Sequence, residues 1–307
     1  MSGPLPVVIF AFNRPRKLER ILNAMRNQNI DHLLIFVDGP RNDADFPQVN
    51  ACRLLARAVD WVPRELFILE NNHGLWGFVE NISQVMEIYP WAVFVEDDCL
   101  PMPGFSKFMR QALEKYINRP EVFSICGYQP LLKRNFQDSP YALVSSTRFS
   151  CWGWASWRDR WQSLIPDVRS YSKLFDNLQQ VPDIVGTTDL PLLAQAMANG
   201  KISVSWDVCV AIACLNQHRV NLLATRGLIR NIGLDCSGVH GNIRGIIRDW
   251  ITHNRNVVKR MPTELIWLED LQFDKNYMCR LQEYLIQSSG VSLRSLLMKG
   301  WYVMRNL

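Results

Sequence analysis

Four short apolar runs, each closed by polar residues and separated by stretches with helical spacing, fill the first hundred residues and constrain this chain more than any other feature. Val7 to Phe12 is the first, punctuated by Asn13-Arg14-Pro15, and Asn13 and Pro15 suit a helix start. Leu18, Ile21, Leu22 and Met25 then recur at helical spacing. Leu33 to Val37 is the second run, broken by Asp38-Gly39-Pro40. Val49 to Val59 predicts a helix and Leu66 to Leu69 a third strand, before the turn Asn71-Asn72-His73-Gly74. Phe78, Ile82, Val85 and Met86 mark the next helix, and Trp91 to Val95 is the fourth strand. This alternation predicts an α/β fold with a mostly parallel sheet covered on both faces by helices. In such a sheet the four polar clusters share one edge, the edge at which open α/β sheets bind ligands, so together they predict a nucleotide-sized site.

The fourth cluster, Glu96-Asp97-Asp98, is the most distinctive. Three adjacent acids at the end of a buried strand need a partner, and a divalent cation is the most effective one. If the strand persists through the triplet, Glu96 and Asp98 point to one face and Asp97 to the other. Hard carboxylate oxygens suit Mn2+ or Mg2+, which bind through one or two acids plus substrate phosphates. A solvated loop is the plainer explanation. The glycine fingerprint of dinucleotide folds and the phosphate-binding G-x-x-x-x-G-K-[ST] loop are both absent, which disfavours a hydride-transfer enzyme or a P-loop ATPase. Phosphate charge would then fall to a cation and a basic side chain. Arg14 is the nearest candidate, with a surface ion pair as its alternative.

Beyond Gly127 the strands shorten and tryptophan becomes dense, with Trp152, Trp154, Trp157 and Trp161 inside ten residues. Trp157 and Trp161, at helical spacing, are expected in the core. Trp152 and Trp154 flank Gly153 in an expected loop, where aromatic faces could stack on sugar rings of an acceptor. Leu190 to Ala198 predicts a helix stopped by Gly200. Ile202 to Trp206 predicts a strand ending at Asp207, an acid that could cap a helix or serve as a general base. His240 lies in a glycine-rich segment, Asn231 to Gly241, and is either structural or a further metal or diphosphate contact.

The chain has 307 residues, long enough for one large domain or two smaller ones, and a net charge of +5. From Arg230 onward there are eleven Lys/Arg against seven Asp/Glu, and Arg244, Arg248, Arg255, Lys259 and Arg260 oppose only Asp249. This patch suits a solvated helix face or peripheral contact with an anionic membrane. No nucleic-acid-binding motif accompanies it, so nucleic acid is not an expected partner. Eight scattered cysteines have no zinc-ligand spacing and are expected to be reduced, buried thiols. The first residues lack the pattern of a secretory signal, and no apolar stretch is long enough to span a bilayer. The expected location is the cytoplasm, with contact at the inner face of the membrane.

Ile9-Phe10-Ala11-Phe12-Asn13-Arg14-Pro15, Val37-Asp38-Gly39-Pro40, Asn72-His73-Gly74-Leu75, Val95-Glu96-Asp97-Asp98 and Cys151-Trp152-Gly153-Trp154 together resemble the GT-A fold glycosyltransferases. The nearest branches are the family 2-like bacterial sugar transferases and the N-acetylglucosaminyltransferases that begin complex N-glycans, which also carry Glu-Asp-Asp for Asp-x-Asp. The resemblance spans roughly residues 5 to 242 and is densest in the first hundred. It implies a glycosyltransferase domain over 1–242, with a nucleotide half (1–127) and an acceptor half (128–242), and a helical basic extension over 243–307. It also implies an inverting, metal-dependent transfer of a hexosyl or N-acetylhexosaminyl group from a nucleotide-diphosphate sugar, UDP-linked, to a glycan or lipid-linked acceptor, as in bacterial polysaccharide synthesis. Phe12 and Arg14 would line the nucleotide pocket, Asp38 would bind the base, and Asp97 would contact ribose or sugar, with Glu96 beside it in a role left open. Asp98 would bind the metal, joined by His240, and Asp207 would be the base, with Asp159 and Asp235 as rivals. A nucleotidyltransferase, or a non-catalytic glycan-binding module, is the alternative.

Overall fold

The computed structural model describes residues 3–131, 139–170, 189–233, 262 and 264–288. Ten strands and eight helices are found among them. The expected alternation holds in the first hundred residues. β1 (Pro6–Ala11), α1 (Pro15–Arg26), β2 (His32–Val37), α2 (Phe46–Arg57), β3 (Arg64–Ile68), α3 (Gly74–Ile88) and β4 (Trp91–Glu96) follow one another. They are followed by β5 (Cys99–Pro101), α4 (Phe105–Lys115), β6 (Val122–Cys126), β7 (Leu143–Ser146), β8 (Trp154–Trp157) and α5 (Arg158–Arg169). The remainder is α6 (Asp189–Ala198), α7 (Trp206–Asn216), β9 (Val220–Ala224), β10 (Ile229–Asn231) and α8 (Lys275–Ser288).

The main sheet has eight strands in the order β3-β2-β1-β4-β8-β6-β9-β7. β3, β2, β1 and β4 are parallel neighbours, as are β6 and β9, while β8 and β7 run against their partners. This is the expected α/β architecture, a large and mostly parallel sheet flanked by helices. The chain winds outward from β1 through β2 to β3, then returns to β1's other side with β4. The crevice between the carboxyl ends of β1 and β4 is therefore a topological switch point, where such sheets receive ligands.

Strand residues alternate between two cores, which is why the runs read as continuously apolar. Val7, Ile9, Leu33, Ile35, Val93 and Val95 face α1, α2 and α4. Val8, Phe10, Leu34, Phe36 and Phe94 face α3, α5 and α7. The described part of the C-terminal region belongs to this body. Trp267 packs on Phe108 and Tyr116, the Tyr116 hydroxyl donates to the Leu268 carbonyl at 2.9 Å, and Tyr277 is buried with its hydroxyl 3.0 Å from Gln129 Oε1. The basic cluster between 244 and 260, and the apolar repeat Leu293, Leu296, Leu297 and Trp301, lie outside the described residues.

Three local expectations are corrected. Trp154 is a β8 residue, 1% exposed, with Phe94, Phe149 and Trp161 against its ring, so no face is left for a sugar. Pairing of β8 between β4 and β6 draws it out of the expected loop. Trp157 and Trp161 are core as expected, but Trp157 ends β8 rather than starting a helical repeat. Ile202–Ser205 form no strand; Trp206 opens α7, whose residues are buried almost throughout. Full burial erases the amphipathic periodicity that would have marked this segment as a helix. Gly200, with φ of +65°, ends the α6 segment as expected. Replacing Trp154 by alanine should lower stability by about 3–5 kcal/mol through the cavity it leaves, measurable as a reduced urea midpoint with near-native circular dichroism at zero denaturant.

Candidate active site

Three strand ends meet at the switch point. β1 delivers Phe12, Asn13 and Arg14, and Pro15 then fixes the first turn of α1. β2 delivers Asp38, whose amide extends the sheet by bonding the Ala11 carbonyl at 2.9 Å. Asp38 Oδ1 accepts from the amides of Gly39 (2.9 Å) and His73 (3.0 Å), and Oδ2 accepts from Asn72 Nδ2 (2.9 Å). The ends of β2 and β3 are therefore tied together by one carboxylate. Gly39 is required there, because a Cβ would overlap the backbone of Glu70 and Asn71. Phe12, Arg14, Asp38, His73, Glu96 and Asp97, with Gly77, Phe78 and Asn81 of α3, line one open cleft.

The triplet is not an extended strand. β4 stops at Glu96, and Asp97 and Asp98 form a turn into β5. The expected opposition of Asp97 and Asp98 is thereby corrected, since one side chain reaches both. The Arg14 guanidinium pairs through Nη2 with Asp97 Oδ1 and through Nη1 with Asp98 Oδ2 at 2.6 Å. Asp97 Oδ2 also accepts the Phe12 amide at 3.3 Å, and Cys99 Sγ lies 3.5 Å from Asp98 Oδ1. β10 pairs with β5 and brings the following backbone over the turn: the Ile232 amide donates to the Asp98 carbonyl at 2.7 Å. Gly233 passes so close that a Cβ would collide with the Asp98 carboxylate.

One guanidinium does not neutralise this cluster. Burial, reinforced by Asp98, pushes the Glu96 carboxyl far above the usual carboxylate range, and burial raises Asp97 to about 6 despite Arg14. The Cys151 thiol is hydrogen-bonded to Glu96 and is itself pushed up by burial and by Glu96. Among the described residues no group of three or more His, Cys, Asp or Glu is arranged to hold a metal ion, so the site offers a divalent cation only two acids. Its donors are hard oxygens short of positive charge, and a stand-in cation, Arg14, already occupies two of them. Asp98 and Asp97 are the residues that would hold the ion.

The candidate bases separate by topology. Asp207 is in the first turn of α7, which Ser205 begins, and it accepts a hydrogen bond from the Ser205 hydroxyl. Its charge contributes to raising Glu96 and Cys151, so it lies within electrostatic reach of the triplet. Trp206 beside it stacks at 6.2 Å on Phe78, a cleft residue. Asp159 begins α5 after antiparallel β8, whose end pairs with the start of β4 (Trp91↔Trp157). It is therefore displaced from Glu96 by the length of β4, roughly 17 Å, and is eliminated as a base. Asp235 and His240 lie outside the described residues. Trp152 is half-buried, with its ring edge-on to Tyr128 at 4.6 Å.

Two features of the site carry little sequence signal. Arg148, on the loop after β7, pairs through Nε with buried Asp189 at 3.0 Å and also senses Asp207. Nothing around a single arginine announces this. Cys151 could have been suspected from its place beside Trp152-Gly153-Trp154, because antiparallel β8 must start where β4 ends. Most other described cysteines are buried, as expected, but Cys279 is exposed.

No protein-family model matches the chain, and no curated protein does. Among solved structures, the mannosyltransferase PcManGT from Pyrobaculum calidifontis, in complex with GDP-Man and Mn2+, aligns over 94% of this chain and 87% of its own, at 12% identity and a TM-score of 0.41. S. aureus TarS 1-349 aligns over 93% and 71%, at 7% identity and 0.44. CMP:2-keto-3-deoxy-manno-octonic acid synthetase, complexed with CTP, aligns over 65% and 87%, at 13% identity and 0.34. At these scores the likeness is loose.

The raised Glu96 carboxyl has a measurable consequence. Folded protein holds the Glu96 proton from about 4.5 up to about 8, while the unfolded chain has released it. The folded state thus binds more protons across that window, and stability falls as pH rises through it. In metal-free buffer the melting temperature should drop between pH 5 and pH 8, and Glu96→Gln should flatten that slope; an unchanged slope would show Glu96 ionised throughout.

Proposed function

We propose that the protein is an inverting glycosyltransferase that moves a sugar from a nucleotide-diphosphate donor to an acceptor hydroxyl. The observation that carries this reading is the convergence of Phe12, Arg14, Asp38, Glu96 and Asp97 on one cleft, with Asp98 paired to Arg14 and Asp207 in electrostatic reach of Glu96. It is the arrangement that the sequence resemblance to the GT-A glycosyltransferases implies, and it supports the reading. Asp38 has one lone pair left, on Oδ2, for an N–H group of a base, and uracil presents such a group. Phe12 offers a ring wall, backed by the Arg41 guanidinium 4.9 Å from its centroid. Arg14 supplies a planar fork matched to phosphate oxygens. Asp97 is proposed to hold a ribose or sugar hydroxyl.

Asp207 takes the proton of the acceptor hydroxyl as that oxygen attacks the anomeric carbon. Attack in line with the departing diphosphate inverts the anomeric configuration. Water exclusion by the 231–233 backbone strengthens the charge interactions around the Asp98 turn. A bound Mn2+ or Mg2+, held by Asp98 with Asp97 beside it, supplies neutralisation of the charge developing on the leaving diphosphate. His240 is proposed as an additional contact. Half-buried Trp152 is the aromatic surface proposed for the acceptor, a glycan or a lipid-linked glycan.

The proposal places the enzyme in the cytoplasm, with its basic 244–260 segment against an anionic membrane face. No helix among the described residues is long and apolar enough to cross a membrane.

Incubating the protein with a panel of nucleotide sugars and Mn2+ should release a nucleoside diphosphate from one of them. Release of pyrophosphate from a nucleoside triphosphate and sugar phosphate would instead identify a nucleotidyltransferase. Metal-dependent UDP binding by calorimetry, absent from a mere glycan-binding module, separates the third possibility. Asp98→Ala should abolish metal-dependent turnover without unfolding the protein. Asp207→Asn should lower kcat by about 10²–10⁴-fold with little change in donor affinity, and an unaltered kcat would move the base elsewhere.

A further inference from the structure

Arg14 occupies the carboxylates that a divalent cation would need. Its two terminal nitrogens engage separate acids, Asp97 and Asp98, whose side chains are 2% and 12% exposed. The remaining Asp97 oxygen is held by the Phe12 amide and the remaining Asp98 oxygen faces the Cys99 thiol. Backbone from 231 to 233 closes the outer side of Asp98, where even a methyl group on Gly233 would collide. A cation at these oxygens would compete with the guanidinium for them, because like charges in so buried a place repel strongly. Arg14 itself keeps a route away, because its side chain is 22% exposed and lines the cleft.

We propose that Arg14 and a divalent cation are alternative occupants of the Asp97–Asp98 carboxylates, and that the guanidinium, when displaced, turns into the cleft to grip the anionic diphosphate of the incoming nucleotide. This inference rests on the glycosyltransferase reading for its ligand. Its consequence is a thermodynamic coupling. A metal arriving alone must evict Arg14 with no anion to receive it, whereas a diphosphate offers the guanidinium a new partner. Metal and nucleotide therefore tighten each other's binding.

The test is Mn2+ titration by calorimetry, without and with saturating UDP, on the wild-type chain and Arg14→Gln. Without UDP, Arg14→Gln should bind Mn2+ at least about tenfold more tightly than wild type, and UDP should improve Mn2+ affinity more in wild type than in the variant, within the range of about 5–150-fold typical of coupled sites. Equal or weaker Mn2+ binding by Arg14→Gln overturns the exchange, as does absence of Mn2+ binding from both proteins. Circular dichroism reports whether the variant folds. If it does not, Arg14→Lys takes its place: one ammonium cannot span both acids as the fork does, so this variant too should bind Mn2+ more tightly than wild type, and unchanged affinity overturns the proposal. Donor turnover measured on the wild-type chain keeps the two readings apart. Turnover with no gain of Mn2+ affinity in the variant rejects the exchange alone, and a gain of affinity with no turnover of any nucleotide sugar supports the exchange and rejects the glycosyltransferase.

Discussion

The pairing of Arg14 with Asp97 and Asp98 is the contact on which the candidate site depends. It joins the carboxyl ends of β1 and β4, which are sheet neighbours only because the chain reverses its winding direction between them. Without the guanidinium, two nearly buried carboxylates and a third beside them would face one another uncompensated. Removing one partner of a buried ion pair is among the costliest single changes a fold can suffer, about 3–5 kcal/mol where burial is complete. Here the partial exposure of Arg14 lowers that figure, and it also leaves the guanidinium free to change partners.

The rest of the site follows from how the second half of the chain is attached. A short antiparallel strand, β8, is inserted between β4 and β6, with all four of its residues buried. Because it runs backwards, its first residues stand at the carboxyl end of β4, which puts Cys151 against Glu96. Gly153, with φ of +65°, makes the turn into this strand, and a side chain there would strike Ile229, the first residue of β10. β10 in turn carries Asn231 to Gly233 over the Asp98 turn. A glycine-led turn, a four-residue strand and a three-residue strand thus place the second half against the first.

How much of this was legible in the sequence depends on which physical signal each part carries. β1, β2, β4 and the helices between were plain, because strands buried on both faces read as unbroken apolar runs and half-buried helices as periodic ones, whereas edge strand β3 begins two residues before its apolar run, at exposed Arg64 and Glu65. The meeting of Arg14, Asp38 and the acids at one edge followed from parallel pairing alone. Trp154 misled because a tryptophan beside glycine looks the same whether it caps a loop or fills a core, and only the pairing of β8 decides. Trp206 and the residues after it misled because a helix buried on all sides loses its periodicity. The choice of Arg14, rather than an ion, as the immediate partner of the acids was illegible, because it depends on a two-residue turn that brings Asp97 and Asp98 onto the same guanidinium.

The charge balance of the cleft finally bears on how an anionic donor could bind at all. Glu96, Asp97 and Asp98 stand at the sheet edge with Asp207 in electrostatic reach of Glu96, and Arg14 is committed to two of these acids. A diphosphate adds further negative charge to this cluster, so it cannot enter on Arg14 alone while Arg14 remains paired. Protonation of Glu96 relieves part of the repulsion, and a divalent cation arriving with the donor relieves the rest. On the proposed glycosyltransferase reading, the cleft would be a site for a cation–nucleotide pair rather than a metal site to which a nucleotide is later added. In that description the buried acids repel a bare nucleotide, and Arg14 holds them in register until the pair arrives.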